Sequence, residues 1–177
     1  MKITPTDIDG LLIIEPDVFE DERGYFYESY NQKEFESIGI FPRAFVQDNQ
    51  SKSNKGVVRG LHFQKPPFSQ GKLVRVIKGA VLDVAVDLRK ISKTYGNHFS
   101  VELTGDNKKM LWIPSGFAHG FSTLEDDTIF FYKCTNTYHK KSEVCILWND
   151  SDLNIDWVVV EPIVSEKDKN GIKFSDF

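Results

Sequence analysis

From Gly71 onward the chain alternates short apolar runs with turn-forming residues. The clearest run is KLVRVIKGAVLDVAVDLR, in which Ala80, Leu82, Val84, Val86 and Leu88 alternate with Val81, Asp83, Ala85, Asp87 and Arg89. A period of two is the mark of a strand, because successive side chains point to opposite faces. Gly79 marks the turn between two such strands. HFSVELT, KMLWIP, GFSTL, TIFFYKCT, VCILWN and WVVVEPIV continue the series, and Asp106-Asn107, Glu125-Asp126-Asp127 and Asn149-Asp150 supply turns. One helix is predicted near the front, in YNQKEFESIGI: Asn31 can cap it, Glu34 follows three residues on, and Gly39 can close it. Many short strands with few helices predict an all-β sandwich or barrel. A double-sheet jelly roll fits the length and the strand count, with the apolar strand GLLIIEP as an N-terminal extension. Such a barrel offers a mouth for a small molecule.

Composition narrows the function more than the fold. The 177 residues predict one domain, residues 1–177, long enough to fold without disulfides or a structural metal. A net charge of -4 argues against nucleic acid as a partner. The 14 phenylalanines suit a β-rich core or a site that stacks flat ligands. Cys134 and Cys145 lie in apolar runs and are expected to be buried free thiols. MKITPTDIDG has no long apolar stretch, and no run approaches the ~20 residues of a membrane span, so a cytoplasmic protein without membrane contact is expected.

Candidate chemistry centres on RGLHFQ, which puts Arg59 and His62 between extended runs. His62 is either a core histidine with satisfied nitrogens or a base. The four histidines, His62, His98, His119 and His139, show no His-x-His pair, so ligand counting argues against a metal centre. WIPSGFAHG resembles the second metal motif of cupins, but the first is missing. His98 carries no usable signal, and His139, beside Lys140-Lys141, is expected in a solvated loop.

FEDERGYFYESY, FVQDNQSKSNKGVVRGLHFQ, QGKLVRVIKGAVLDVAVDLRKIS, WIPSGFAHGFSTL, YKCTNTYHKKSE and VSEKDKNG together closely resemble the dTDP-4-dehydrorhamnose 3,5-epimerase family, from about Phe19 to Gly171. The resemblance implies a cupin-type jelly roll (a double-stranded β-helix), a homodimer, no metal or other cofactor, and a dTDP-linked 4-keto-6-deoxyhexose as substrate. It implies His62 as base, Asp168 as its carboxylate partner, Tyr132 as proton donor and Lys72 beside the ketone oxygen. It further implies that Arg59 binds the diphosphate, that Arg23 and Lys167 touch phosphate or sugar, and that Tyr138 stacks on thymine. Glu28, Gln47, Asn49 and Glu143 would hold sugar hydroxyls or the thymine edge, and His119 would contact the ligand.

These residue types suit the chemistry. A ketone at C4 acidifies the protons on C3 and C5, and inversion needs a base, a donor on the other face and positive charge near the oxyanion. Histidine titrates at about 6.5, close to working pH, and a carboxylate can fix its tautomer. A phenol, at about 10, arrives protonated. Each residue also has a plainer reading: Tyr132 as core packing, Tyr138 and Lys72 as surface groups, Arg23 as part of an exposed turn. Rival functions are inversion at C3 alone, 3,4-ketoisomerisation, a metal-dependent cupin oxygenase, and a non-catalytic nucleotide-sugar binder. If two copies share strands, GLLIIEP could pair across a two-fold axis, and Phe19 or Phe26 could reach the neighbour's site.

Overall fold

The computed structural model describes residues 1–40 and 45–177. Chain order begins with β1 (Lys2–Pro5), β2 (Leu12–Glu15) and the hairpin of β3 (Phe19–Asp21) and β4 (Gly24–Phe26), followed by helix α1 (Gln32–Ser37). The barrel strands follow: β5 (Gln47–Ser53), β6 (Val57–Gln64), β7 (Lys72–Lys78), β8 (Ala80–Asp87), β9 (His98–Thr104), β10 (Met110–Ile113), β11 (Phe117–Thr123) and β12 (Thr128–Cys134). Short β13 (Glu143–Cys145), β14 (Ile163–Val164) and helix α2 (Glu166–Lys169) complete the set. One sheet has the order β1-β2-β10-β7-β12-β5 and the other β13-β6-β11-β8-β9, with β14 added in parallel to β6. Two antiparallel sheets wrapped around one core make the jelly roll that the strand pattern predicts.

Val74, Val76, Leu111 and Phe130 of the first sheet meet Val81, Ala85, Leu103, Phe117 and Phe121 of the second in one buried cluster. Gly79, at φ +81°, is where the chain crosses between sheets: β7 and β8 are consecutive but pair with different neighbours. The alternation in β8 does not separate core from solvent. Val81 and Ala85 face the inter-sheet core, while Val84 and Val86 face a second cluster with Leu153 and Trp157. Asp83 and Asp87, on the inner face, are fully buried. Helix α1 starts as predicted, with the Asn31 side chain accepting from the Lys33 N–H, and Gly39 follows its end at φ +80°.

Three expectations need correction. WVVVEPIV forms a strand only at Ile163–Val164. Its start turns because Asp156 accepts the Val158 N–H at 2.9 Å, and Val158 and Val160 are exposed with no partner strand among the described residues. VCILWN is a strand only to Cys145, after which Ile146 bridges to Ile172. Lastly, the strand within GLLIIEP lies between β1 and β10, so both its edges are used inside its own chain and neither is left for pairing across a two-fold axis.

Candidate active site

A cavity of about 800 Å³ opens between the sheets, walled by β5, β7 and β12 on one side and β6, β11, β13 and β14 on the other, with α2 at its edge. His62 and Asp168 are 106 residues apart in sequence, yet His62 Nε2 lies 2.6 Å from Asp168 Oδ1. The ladder places His62 on the cavity wall, and Ser165 begins α2 by accepting the Asp168 N–H, which seats the carboxylate behind the ring. Asp168 is 2% exposed. Burial alone would raise its carboxyl, but the hydrogen bond and charge of His62 and the Gly60 N–H hold it below the usual carboxylate range. A carboxylate that accepts from Nε2 leaves Nδ1 as the acceptor of a neutral ring.

Tyr132 and Lys72 come from the opposite sheet. Burial, with some help from Cys134, pushes the Tyr132 phenol up to about 12, so it stays protonated across the working range. The Lys72 ammonium lies 5.9 Å from the Tyr132 ring centre, and among the described residues its one side-chain hydrogen bond is to the His62 carbonyl at 3.4 Å. Burial pushes the lysine down, against the opposing charges of Cys134, Asp83 and Glu143. A buried, weakly partnered cation is poised to meet an oxyanion.

His119 sits opposite His62 in the β6–β11 ladder, the third residue of its strand. Its Nε2 lies 2.9 Å from Asp83 Oδ2, and burial pushes the ring down in spite of that carboxylate. Asp83 Oδ1 has no partner among the described residues. Arg59 lines the cavity, and among the described residues its guanidinium donates only to neutral oxygens, Ser53 Oγ and the Lys52 carbonyl. At the mouth, the Tyr138 N–H donates to Gln47 Oε1 and its hydroxyl to Glu143 Oε2, while Lys167 pairs with Glu143. Gln47 Nε2 donates to Asn49 Oδ1 at 3.0 Å.

Eleven expected residues therefore converge: Gln47, Asn49, Arg59, His62, Lys72, His119, Tyr132, Tyr138, Glu143, Lys167 and Asp168. Arg23 and Glu28 do not. Arg23 is paired with Asp21 at the exposed β3–β4 turn, and Glu28 accepts from Asn31 beside a separate small cleft. Both precede the barrel strands, and neither is among the described residues that line the cavity.

Sequence reading missed several contributors. Asp83, in a run otherwise apolar, was a signal in itself, since a buried carboxylate needs a partner. Gln64 is buried and ties two loops together: it donates to the Phe68 and Thr137 carbonyls and accepts the His139 N–H. His139 is not simply solvated. It stacks on Phe68 at 3.8 Å between ring centres and bonds Ser142 through Nδ1. Cys134 is a buried free thiol as expected, but Cys145 is only half-buried and touches Asp168.

Proton movement on a small molecule held between two sheets is what these groups can perform, and with this fold they define a cupin-type jelly-roll isomerase. Comparison with known proteins is more specific. The chain belongs to the dTDP-4-dehydrorhamnose 3,5-epimerase family, whose profile matches residues 5–176. It is 54% identical over 176 residues to the dTDP-4-dehydrorhamnose 3,5-epimerase of Shigella flexneri, covering 99% of this chain and 97% of that one. The crystal structure of the enzyme of that name from Elizabethkingia anophelis superposes with a TM-score of 0.95 at 52% identity, covering 99% of this chain and 97% of that one. A Legionella pneumophila epimerase in complex with dTDP-4-keto-L-rhamnose gives a TM-score of 0.94 at 50% identity, covering 98% and 93% respectively.

Proposed function

We propose that this enzyme inverts C3 and C5 of dTDP-4-dehydro-6-deoxy-D-glucose and releases dTDP-4-dehydro-L-rhamnose. The observation that carries this reading is the entry of His62–Asp168 and of Tyr132 onto one cavity from opposite sheets. His62 accepts the proton from the carbon beside the ketone, and the electron pair moves into the carbonyl to give an enolate. Lys72 stabilises the oxyanion, and Tyr132 returns a proton to the far face. Asp168 holds the ring tautomer and balances the imidazolium. One proton leaves and one arrives at each carbon, so the reaction balances without a redox cofactor. Arg59 and Lys167 bind phosphate oxygens, Tyr138 stacks on thymine, and Gln47, Asn49, Glu143 and His119 hold the sugar and the base edge.

Proton NMR in heavy water tests the assignment. Deuterium is expected at both C3 and C5. Label at C3 alone would reduce the activity to a single inversion, and none at either carbon would overturn the reading.

We further propose a cytoplasmic homodimer. Two free thiols suit a reducing compartment, and no helix among the described residues is long and apolar enough to cross a membrane. The β3–β4 hairpin exposes Phe19, Tyr25 and Phe26 at 64%, 56% and 66%, an apolar arm suited to a second copy. Seated there, it brings Arg23 and Glu28 to the neighbour's cavity. Light scattering should give twice the chain mass; a fully active monomer would sink the dimer and the roles of Arg23 and Glu28 together.

A further inference from the structure

Cys145 is the register partner of His62 in the β13–β6 pair, so both side chains emerge on the same face. Its Sγ lies 3.5 Å from Asp168 Oδ1, the oxygen that His62 Nε2 approaches to 2.6 Å. Imidazole nitrogen, thiol sulfur and carboxylate oxygen all fall within 4.8 Å of one another. A tetrahedral ion with bonds of about 2.0 Å to N and O and about 2.3 Å to S sets its ligands roughly 3.3–3.6 Å apart. The thiol–carboxylate separation already has that value. The imidazole–carboxylate pair would open by less than about 1 Å, a rotamer adjustment. The His62 side chain is 29% exposed on the cavity, which gives an entry path and an open fourth position for water. Gly60 N–H on Asp168 Oδ2 steadies the carboxylate from behind.

We propose that His62, Cys145 and Asp168 form a binding site for a thiophilic divalent cation of the zinc–cadmium class, and that the ion shuts down the base. Proton transfer by His62 does not call for the ion. On binding, the thiol releases its proton to water and the thiolate, one Asp168 oxygen and Nε2 coordinate. The hydrogen that Nε2 carried passes to Nδ1. The ring then bears metal on one nitrogen and hydrogen on the other, with no lone pair left to take a proton from carbon. One proton is released per ion bound. The thiol must give up its proton for the ion to bind, so binding strengthens with pH. Lys72 and Lys167 also face this cavity, Lys167 partly neutralised by Glu143. Magnesium, which prefers oxygen ligands in octahedral array, does not fit.

Chelator-treated protein titrated with cadmium reports the site without any turnover, so the result stands whichever sugar is the substrate. A thiolate-to-metal charge-transfer band saturating at one ion per chain is expected in the wild type and in Cys134→Ser, and none in Cys145→Ser. With turnover as a second readout, zinc should inhibit the wild type and Cys145→Ser should require at least about tenfold more zinc for equal inhibition, each measured against its own metal-free rate. A band that survives Cys145→Ser, a wild type without one, or equal zinc sensitivity in both proteins overturns the proposal.

Discussion

His62 and His119 are register partners across the β6–β11 ladder, and each ties its Nε2 to a different aspartate: Asp168 at 2.6 Å and Asp83 at 2.9 Å. The first pair opens on the cavity, with the His62 side chain 29% exposed; the second is almost sealed, its side chains 6% and 0% exposed although His119 borders the cavity. The same chemical pair thus stands open in one place and nearly closed in the other, so the base role proposed above falls to His62, while His119, its Nε2 held by Asp83, can offer a ligand no more than a contact.

The base role proposed for His62 depends on the Asp168 carboxylate. Asp168→Asn preserves shape but loses the charge that stabilises an imidazolium, and turnover should fall by roughly 10²–10⁴-fold. Affinity for dTDP, measured by calorimetry, should stay close to wild type. An equal loss in binding would make Asp168 a binding residue instead.

The sealed pair should show in stability. His119→Leu strands a buried carboxylate and is expected to cost about 3–5 kcal/mol in urea unfolding. Replacing Asp83 as well, as Asn or Leu, should return part of that loss, since no buried charge then lacks its partner. Strictly additive costs would show that the two side chains do not interact.

Alkaline pH should separate Lys72 from Tyr132. Burial lowers the Lys72 ammonium and raises the Tyr132 phenol to about 12, so lysine loses its proton first as pH rises. The alkaline limb of kcat/KM is expected to belong to Lys72 and to vanish from the residual activity of Lys72→Met. Tyr132→Phe should lower kcat and leave the limb where it was.

Asp87 provides an acid-stability test outside the site. It is fully buried and accepts from Arg89, Ser92 and Thr94, which outweighs its desolvation and holds it well below the usual carboxylate range. A folded-state pKa below the unfolded one gives stability that is complete above about 4 and is lost as pH falls toward the folded value. Asp87→Asn should cost about 2 kcal/mol at neutral pH, and the melting-temperature gap to wild type should narrow in acid. A gap independent of pH would remove the ionised carboxylate from the explanation.

Gln64 ties the loop bearing Tyr138 to the one bearing Phe68. Gln64→Ala should loosen the platform and raise KM by about tenfold, in line with the loss of about 1.4 kcal/mol of binding. Because Gln64 makes no hydrogen bond to His62 or Asp168, kcat should change little. A drop confined to kcat would argue for a direct part in proton transfer.

Legibility varied with the range of the interaction involved. The β8 strand could be read from its period of two and the α1 start from Asn31, because strand alternation and capping are local. What β8 faced could not. Its polar positions look solvent-directed in the sequence, yet Asp83 and Asp87 point inward because the C-terminal segment with Leu153 and Trp157 covers the other face. WVVVEPIV misled for the same reason: β-branched residues favour a strand only where a partner strand exists, and before Ile163 there is none among the described residues.

The sequence by itself determined most of the strand series and the α1 cap, since these are properties of residue type and short spacing; the roles of acid, base and cation came only as what the family resemblance implied. Only the tertiary structure decided that Asp168 backs His62 across 106 residues, that Tyr132 enters from the opposing sheet, that Cys145 lies beside the base, and that Arg23 and Glu28 stay away from their own cavity. The reason is physical. Distances of a few ångströms between remote side chains are set by ladder register and sheet packing, and a local pattern carries no information about either.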